Sequence, residues 1–169
     1  MFCKLYKASI INAGNPLRLD ENISFGEDLL FACAYMERAE KIVYARRGLY
    51  HYRENPDGAV RSAFREKKLS LLGAYRGISE IIERNNYNLK TEWECGFVYS
   101  SLILIVDMYL SGYRNKTHEK EVIGNIKKYR KSFKKSPDYG RKYKLYCTVL
   151  AVCPGILRLL FAMKGRKNK

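Results

Sequence analysis

Polar and apolar positions change rhythm near residue 60. Before it the pattern is mixed. Lys4-Leu5-Tyr6-Lys7 and Ile10-Ile11 predict a short strand or helix fragment that ends in the loop Asn12-Ala13-Gly14-Asn15-Pro16. Ser24-Phe25-Gly26-Glu27 reads as a capping box, in which the Ser24 hydroxyl takes a free backbone N–H and Glu27 reaches back to another. Behind it Leu29, Cys33 and Met36, with Leu30 beside them, fall at helical spacing and predict a helix to about residue 39. Ile42–Arg46 and Leu49–Arg53 then read as two short strands around an Arg47-Gly48 turn, closed by the turn Asn55-Pro56-Asp57-Gly58.

From residue 61 onward the period is helical. Leu69, Leu72, Tyr75, Ile78, Ile81 and Ile82 mark one amphipathic helix that ends at Asn85-Asn86. A second runs from about Thr91 to Ser111. Its apolar centre, Leu102 to Val106, is too short to cross a bilayer and is interrupted by Asp107, which predicts a buried helix. A third, basic helix covers about 119–134 and stops at Ser136-Pro137-Asp138. The last apolar segment, Leu145 to Met163, is broken by Pro154-Gly155. The fold class expected from this pattern is α+β: short strands and one helix over residues 1–60, a helical region over 61–112 packed on it, and a basic helical extension over 113–169. No internal repeat is visible.

Composition narrows the chemistry. The chain of 169 residues is 47% hydrophobic and 13% aromatic, enough to bury a sizeable core. Five cysteines without CxxC spacing predict small buried hydrophobes rather than a zinc site. Two histidines, His51 and His118, leave little room for His-based metal or Ser/His schemes. The N-terminus lacks a basic stretch followed by an apolar one, so a cytoplasmic location is expected.

Charge is unevenly placed. Residues 1–112 hold 15 Lys/Arg and 14 Asp/Glu, whereas residues 113–169 hold 17 Lys/Arg and 3 Asp/Glu. Such an asymmetry predicts an anionic partner for the last third, or a plain solvated cationic surface. Lys127, Lys128, Arg130, Arg141, Lys142 and Lys144 are the candidate anion-binding residues. Near an anionic leaflet each such residue contributes about 1 kcal/mol. The alternatives are a peripheral element on the inner face of a membrane and a helical hairpin that covers the domain. Nucleic acid is a weaker third reading. Tyr129, Tyr139, Tyr143 and Tyr146 interleave with Lys/Arg as a stacking platform does, but no nucleic-acid motif accompanies them.

Four segments, in order, resemble the family-2 glycosyltransferases. Cys3-Lys4-Leu5-Tyr6 is similar to the family's "(N)KLY" segment, and Phe25-Gly26-Glu27-Asp28-Leu29-Leu30-Phe31 to its "GEDLLF" acceptor-site motif. Leu19-Asp20-Glu21 lies between them where the family has "F-D-E". Ala39-Glu40-Lys41-Ile42 and Leu49-Tyr50-His51-Tyr52-Arg53 echo "A-x-K-I … Y-x-Y-R". The resemblance covers residues 3 to about 60.

It implies a partial GT-A-like fold and the acceptor side of an inverting transferase acting in surface polysaccharide synthesis. Asp28 would be the base that takes the proton from an acceptor hydroxyl, with Glu27, Arg53 and Lys4 lining the substrate site. Independently of the resemblance, a carboxylate in the first turn of a helix is favoured by the macrodipole, which is the plain structural reading of Asp28. Glu27 is already explained by its spacing from Ser24.

The acceptor implied is a glycan, including one linked to lipid. The nucleotide-sugar donor site and its Mg or Mn ligands belong, in the family, to an N-terminal half upstream of the segment resembled here. No Asp-x-Asp and no Gly-rich phosphate loop occur in this sequence, so no cofactor is expected in it and little transfer activity from it alone.

Overall fold

A computed structural model describes residues 4–51 and 63–167. Among the described residues there are seven α-helices, one 3-10 turn and no strand. The helices are α1 (Ala8–Asn12), α2 (Glu27–Arg38), α3 (Ser70–Arg84), α4 (Lys90–Ser111), α5 (Lys116–Lys135), α6 (Arg141–Val152) and α7 (Pro154–Lys167), with the 3-10 turn Glu66–Leu69 before α3.

The α+β expectation is therefore overturned. Residues 41–46 and 49–51 form irregular chain, with Ile42, Val43, Tyr44 and Leu49 exposed. Their β-branched and aromatic residues gave the strand pattern, but strand propensity is realised only against a partner strand and a buried face. A two-stranded ribbon on its own is marginal in water. Among the described residues no ladder forms; Leu49 N–H instead donates to Arg47 O at 3.0 Å. Residues 52–62, which include Arg53 and the expected turn at Asn55–Gly58, lie outside the described residues.

Helix α4 is the axis of the fold. Cys95, Phe97, Val98, Ser101, Leu102, Leu104, Ile105, Met108 and Tyr109 are all buried and cover about half of its circumference, and Tyr99, Ile103, Val106 and Leu110 carry the apolar surface further round. A helix that is apolar nearly all round belongs in a core or a membrane. By length and composition α4 could cross a membrane, but half of its apolar window is buried within the fold. Helices α3, α5 and α7 pack on it, and α6 bridges α5 and α7. The core contributed by these neighbours includes Leu72, Val122, Ile126, Phe133, Cys147, Leu150 and Leu157.

Asp107, which broke the apolar run, has a structural explanation. Lys68, at the 3-10 turn, is nearly buried, and its ammonium meets the Asp107 carboxylate at 2.9 Å. The acid in the core helix answers a cation delivered from outside it.

The helix termini follow local rules closely. Gly112, at φ +74, ends α4 and Tyr113 N–H returns to Met108 O at 3.0 Å. The Asn115 side chain caps α5 by accepting from Thr117 and His118 N–H. Pro154 cannot continue α6, so the last apolar segment splits at Cys153 into two helices. Tyr146 of α6 meets Phe161 of α7 edge-on, centroids 5.5 Å apart, which closes these two helices as an antiparallel hairpin.

Candidate functional site

The segment around α2 is held by a small number of close contacts. Gly26 adopts φ +85 and takes the N-cap position of α2, where a Cβ would stand 2.7 Å from Leu71 Cδ1 and 2.9 Å from the Ala74 Cβ. Glycine is needed on both counts, for the left-handed backbone and for the approach to α3. Gly77 does the same from the other side, since a Cβ there would lie 2.9 Å from Leu30 Cδ1. The two glycines let α2 lie close along α3.

The expected capping box is not formed. The N-cap residue is Gly26, which has no side chain to close the N-terminus of α2. Instead the Ser70 hydroxyl accepts from Ser24 N–H and Phe25 N–H, each at 3.0 Å, and donates to Lys67 O at 2.7 Å. With αL geometry at Gly26 the helix starts two residues later than Ser24 would have it, out of reach of the reciprocal pair. Glu27 and Asp28 are thus the first two residues of α2, both within the turn where free N–H groups favour negative charge.

Asp28 is ionised at neutral pH: cationic and N–H groups around it outweigh partial burial and hold its carboxyl below the usual carboxylate range. The Lys4 charge acts on it, so the structure brings Lys4, Glu27 and Asp28 into one neighbourhood. Arg53 lies outside the described residues.

One residue beside them was not singled out from the sequence. Tyr6 packs edge-on against Phe31 (5.5 Å) and Tyr35 (4.8 Å) of α2, which ties the Lys4–Tyr6 segment to the helix. Its hydroxyl is buried and has no hydrogen-bond partner. Burial first, and the Asp28 charge next, push its phenol upward, so it stays protonated. An orphaned buried hydroxyl is uncommon and asks for a partner that is absent. The signal was present in the sequence, since Tyr6 ends the Lys-Leu-Tyr segment; spacing alone does not separate it from an ordinary packing aromatic.

The basic candidates are elsewhere. Lys127, Lys128 and Arg130 are exposed on α5; Arg141 and Lys142 are exposed and Lys144 is half-buried on the first turn of α6. The tyrosines among them are spoken for. Tyr129 meets Trp93 (5.2 Å), Tyr139 meets Phe133 (4.5 Å), Tyr143 meets Tyr99 (5.0 Å) and Tyr146 meets Phe161. Their rings pack on the core, and the cations stand outside them, Lys128 4.9 Å from the Tyr129 ring and Lys142 5.8 Å from that of Tyr146.

The hollows among the described residues include two of note. One, of about 230 Å³, is lined by Tyr109, Tyr113, Arg114, Asn115, Glu119 and Arg158. The other, of about 600 Å³, lies between α3, α4 and α5 and is lined by Glu83, Tyr87, Lys90, Trp93, Lys128 and Tyr129 among others. Neither includes Asp28 or Tyr6. The first is crossed by a fixed network in which Tyr109 Oη donates to Glu119 Oε1 at 2.7 Å and Arg158 pairs with the same oxygen. Its charges are satisfied within the fold, which is what a structural tie between α4, α5 and α7 requires.

Among the described residues no three His, Cys, Asp or Glu stand together so as to hold a metal ion. No protein-family model, curated protein or solved structure matches the chain.

Proposed function

We propose that this chain is the acceptor-side portion of an inverting, nucleotide-sugar-dependent glycosyltransferase of the family-2 type, working on a glycan of the cell surface. The observation that supports the reading is the meeting of its two leading motif segments. Tyr6 of Lys4-Leu5-Tyr6 packs on α2, and its unpartnered hydroxyl lies in the field of Asp28.

In this reading a hydroxyl of the acceptor sugar occupies the space beside Asp28. As the acceptor oxygen bonds to the anomeric carbon, the bond from that carbon to the donor phosphate breaks and the nucleotide leaves with both electrons. The hydroxyl proton passes to an Asp28 carboxylate oxygen. Asp28 is ionised beforehand, as a base must be: a hydrogen bond from a cationic amino group, and to a smaller extent Leu29 N–H and Lys4, favour its charged form. In this reading the Tyr6 O–H donates to a second oxygen of the acceptor. Lys4 offsets the negative charge, and Glu27 borders the same space.

Titration of the isotope-labelled chain with a panel of oligosaccharide acceptors, followed by amide NMR, tests acceptor binding. Shifts are expected at Lys4–Lys7 and Gly26–Phe31, and weakened in Tyr6→Phe and Asp28→Asn. Shifts confined to the hollow between α3, α4 and α5, or none with any saccharide, refute the site. Within an active enzyme carrying this sequence, Asp28→Asn is expected to cost about 10²–10⁴ in kcat, the range of a positioned proton acceptor. Unchanged turnover removes Asp28 from the role.

A further inference from the structure

Helix α7 has two apolar sides, and the fold uses one. Leu157 is buried, Phe161 packs on Tyr146, and Arg158 holds Glu119. Away from these, Ile156, Leu159, Leu160 and Met163 are 51%, 67%, 53% and 55% exposed. At helical pitch these four positions span about 100°, a stripe as wide as that of a core-facing helix. Val152 at the end of α6 is also exposed, as is Leu145. An exposed contiguous apolar stripe of this kind marks a surface that is covered in use.

The charges beside the stripe say what covers it. Residues 139–169 contain eight Lys/Arg and no Asp/Glu. The antiparallel hairpin brings the first turn of α6, with Arg141 and Lys142, to the end of α7 that carries exposed Lys164. Arg141 and Lys142 stand at a helix N-terminus with no acid in its first turn, against the preference of the dipole for negative charge. A local rule broken in this way is expected where function demands it.

We infer that the α6–α7 hairpin docks on an anionic lipid surface. The Ile156–Leu159–Leu160–Met163 stripe enters the boundary of headgroups and acyl chains, and Arg141, Lys142 and Lys164 engage the anionic headgroups. At 14 residues α7 is too short to span a bilayer, so it lies in the plane. The exposed cations of α5, Lys127, Lys128, Arg130 and Lys131 among them, add long-range attraction. A second copy is a poor occupant, because a two-fold contact through this face sets the same cationic cluster against itself. A nucleic acid makes no use of an aliphatic stripe, and the nearby tyrosine rings are already packed. The inference is independent of the glycosyltransferase reading.

Co-sedimentation of the full chain with sucrose-loaded vesicles tests it. The chain is expected to pellet with vesicles of phosphatidylcholine plus phosphatidylserine, to stay in solution with phosphatidylcholine alone, and to bind less at high salt. Leu159→Glu with Leu160→Glu changes two exposed residues, so the helical far-UV spectrum should persist while pelleting is lost. Lys142→Gln with Lys164→Gln is expected to lower the partition coefficient by roughly 25-fold, about fivefold for each cation. The inference is overturned if the chain remains in solution with both vesicles, or pellets equally with both. It is also overturned if the folded double-Glu variant binds as the parent does. Binding to RNA without binding to vesicles, or a dimer in light scattering that the double-Glu variant dissolves while vesicles capture nothing, assigns the face to another occupant.

Discussion

The pair Lys68–Asp107 permits the most direct test of how this fold is held together. The Lys68 side chain is 5% exposed and that of Asp107 33%, with the ammonium 2.9 Å from the carboxylate. The Phe25 ring lies 5.8 Å from the same ammonium. Coulomb attraction at this distance is about 6 kcal/mol with an effective dielectric constant near 20, much of it offset by taking both charges out of water.

Removing one partner is therefore far costlier than the net worth of the pair. Asp107→Ala takes an anionic partner from a cation whose side chain is only 5% exposed. A fully buried pair loses about 3–5 kcal/mol in this way, and the partial exposure of Asp107 puts the expected loss at about 3 kcal/mol. For a chain of this size that lowers Tm by roughly 6–12 °C. Lys68→Met keeps the length and apolar stem of the side chain, and the Asp107 left behind can turn to water; the expected loss is within about 1 kcal/mol. The double variant should then lie closer to Lys68→Met than to Asp107→Ala. Thermal melts followed at 222 nm decide it. If Asp107→Ala melts within about 2 °C of the parent, or if Lys68→Met is as damaging, the pair is not a buried ion pair in the sense argued.

Three other outcomes follow from the same structure. Gly26→Ala is expected to destabilise by about 2–4 kcal/mol in urea titration, because φ +85 is strained for alanine and the Cβ meets Leu71 and Ala74; Gly124→Ala on exposed α5, with open space around it, should instead stabilise by about 0.5–1 kcal/mol. Stability should fall on acidification: partial burial raises the Glu119 carboxyl, but Arg158 and Tyr109 hydrogen bonds lower it further, and its folded-state value is depressed. The stabilisation is then present above the unfolded carboxylate range, about pH 4.3, and is lost as pH drops through the folded value; Tm measured from pH 7 to pH 3 should decline less steeply in Glu119→Gln. Thiol labelling read by peptide mass spectrometry should modify exposed Cys153 readily at pH 7.5 and Cys147 only on unfolding, since burial pushes the Cys147 thiol up to about 11; rapid labelling of Cys147 in the folded chain contradicts its place in the core.

The helical two-thirds of the chain could be read from the sequence because each helix there announces itself twice, by period and by punctuation. The stop at Asn85-Asn86 and the break at Pro154 are local events that need no tertiary knowledge, and the ends of α3 and α6 fall where they predict. The stretch 42–51 failed for the opposite reason. Ile42-Val43-Tyr44 has the residues of a strand, but a strand exists only if another is there to pair with it, and nothing local says so. Ser24 failed more subtly. Its spacing to Glu27 satisfies the capping box, yet the decision belonged to Gly26, whose αL backbone is enforced by Leu71 and Ala74 almost fifty residues away. Asp107 shows the same limit from the other side: an acid in an apolar run reads as a blemish until Lys68 is known to face it.

The departures from local rules separate into two kinds, and the separation bears on function. Asp107 breaks the apolar pattern of α4 and is answered by Lys68; Gly77 weakens α3 and is answered by the close approach of Leu30. These have their compensation inside the fold. The Tyr6 hydroxyl and the outward stripe of α7 have none in the contacts described, and the cations on the first turn of α6 have only the Tyr143 and Tyr146 rings beside Lys142. Departures from local rules that nothing else in the fold answers are expected chiefly at functional sites. The orphaned hydroxyl sits with an ionised carboxylate on α2, and the stripe sits with cations on α6–α7, at the other end of the sequence. On the readings proposed above, the first place meets an acceptor saccharide and the second an anionic lipid surface.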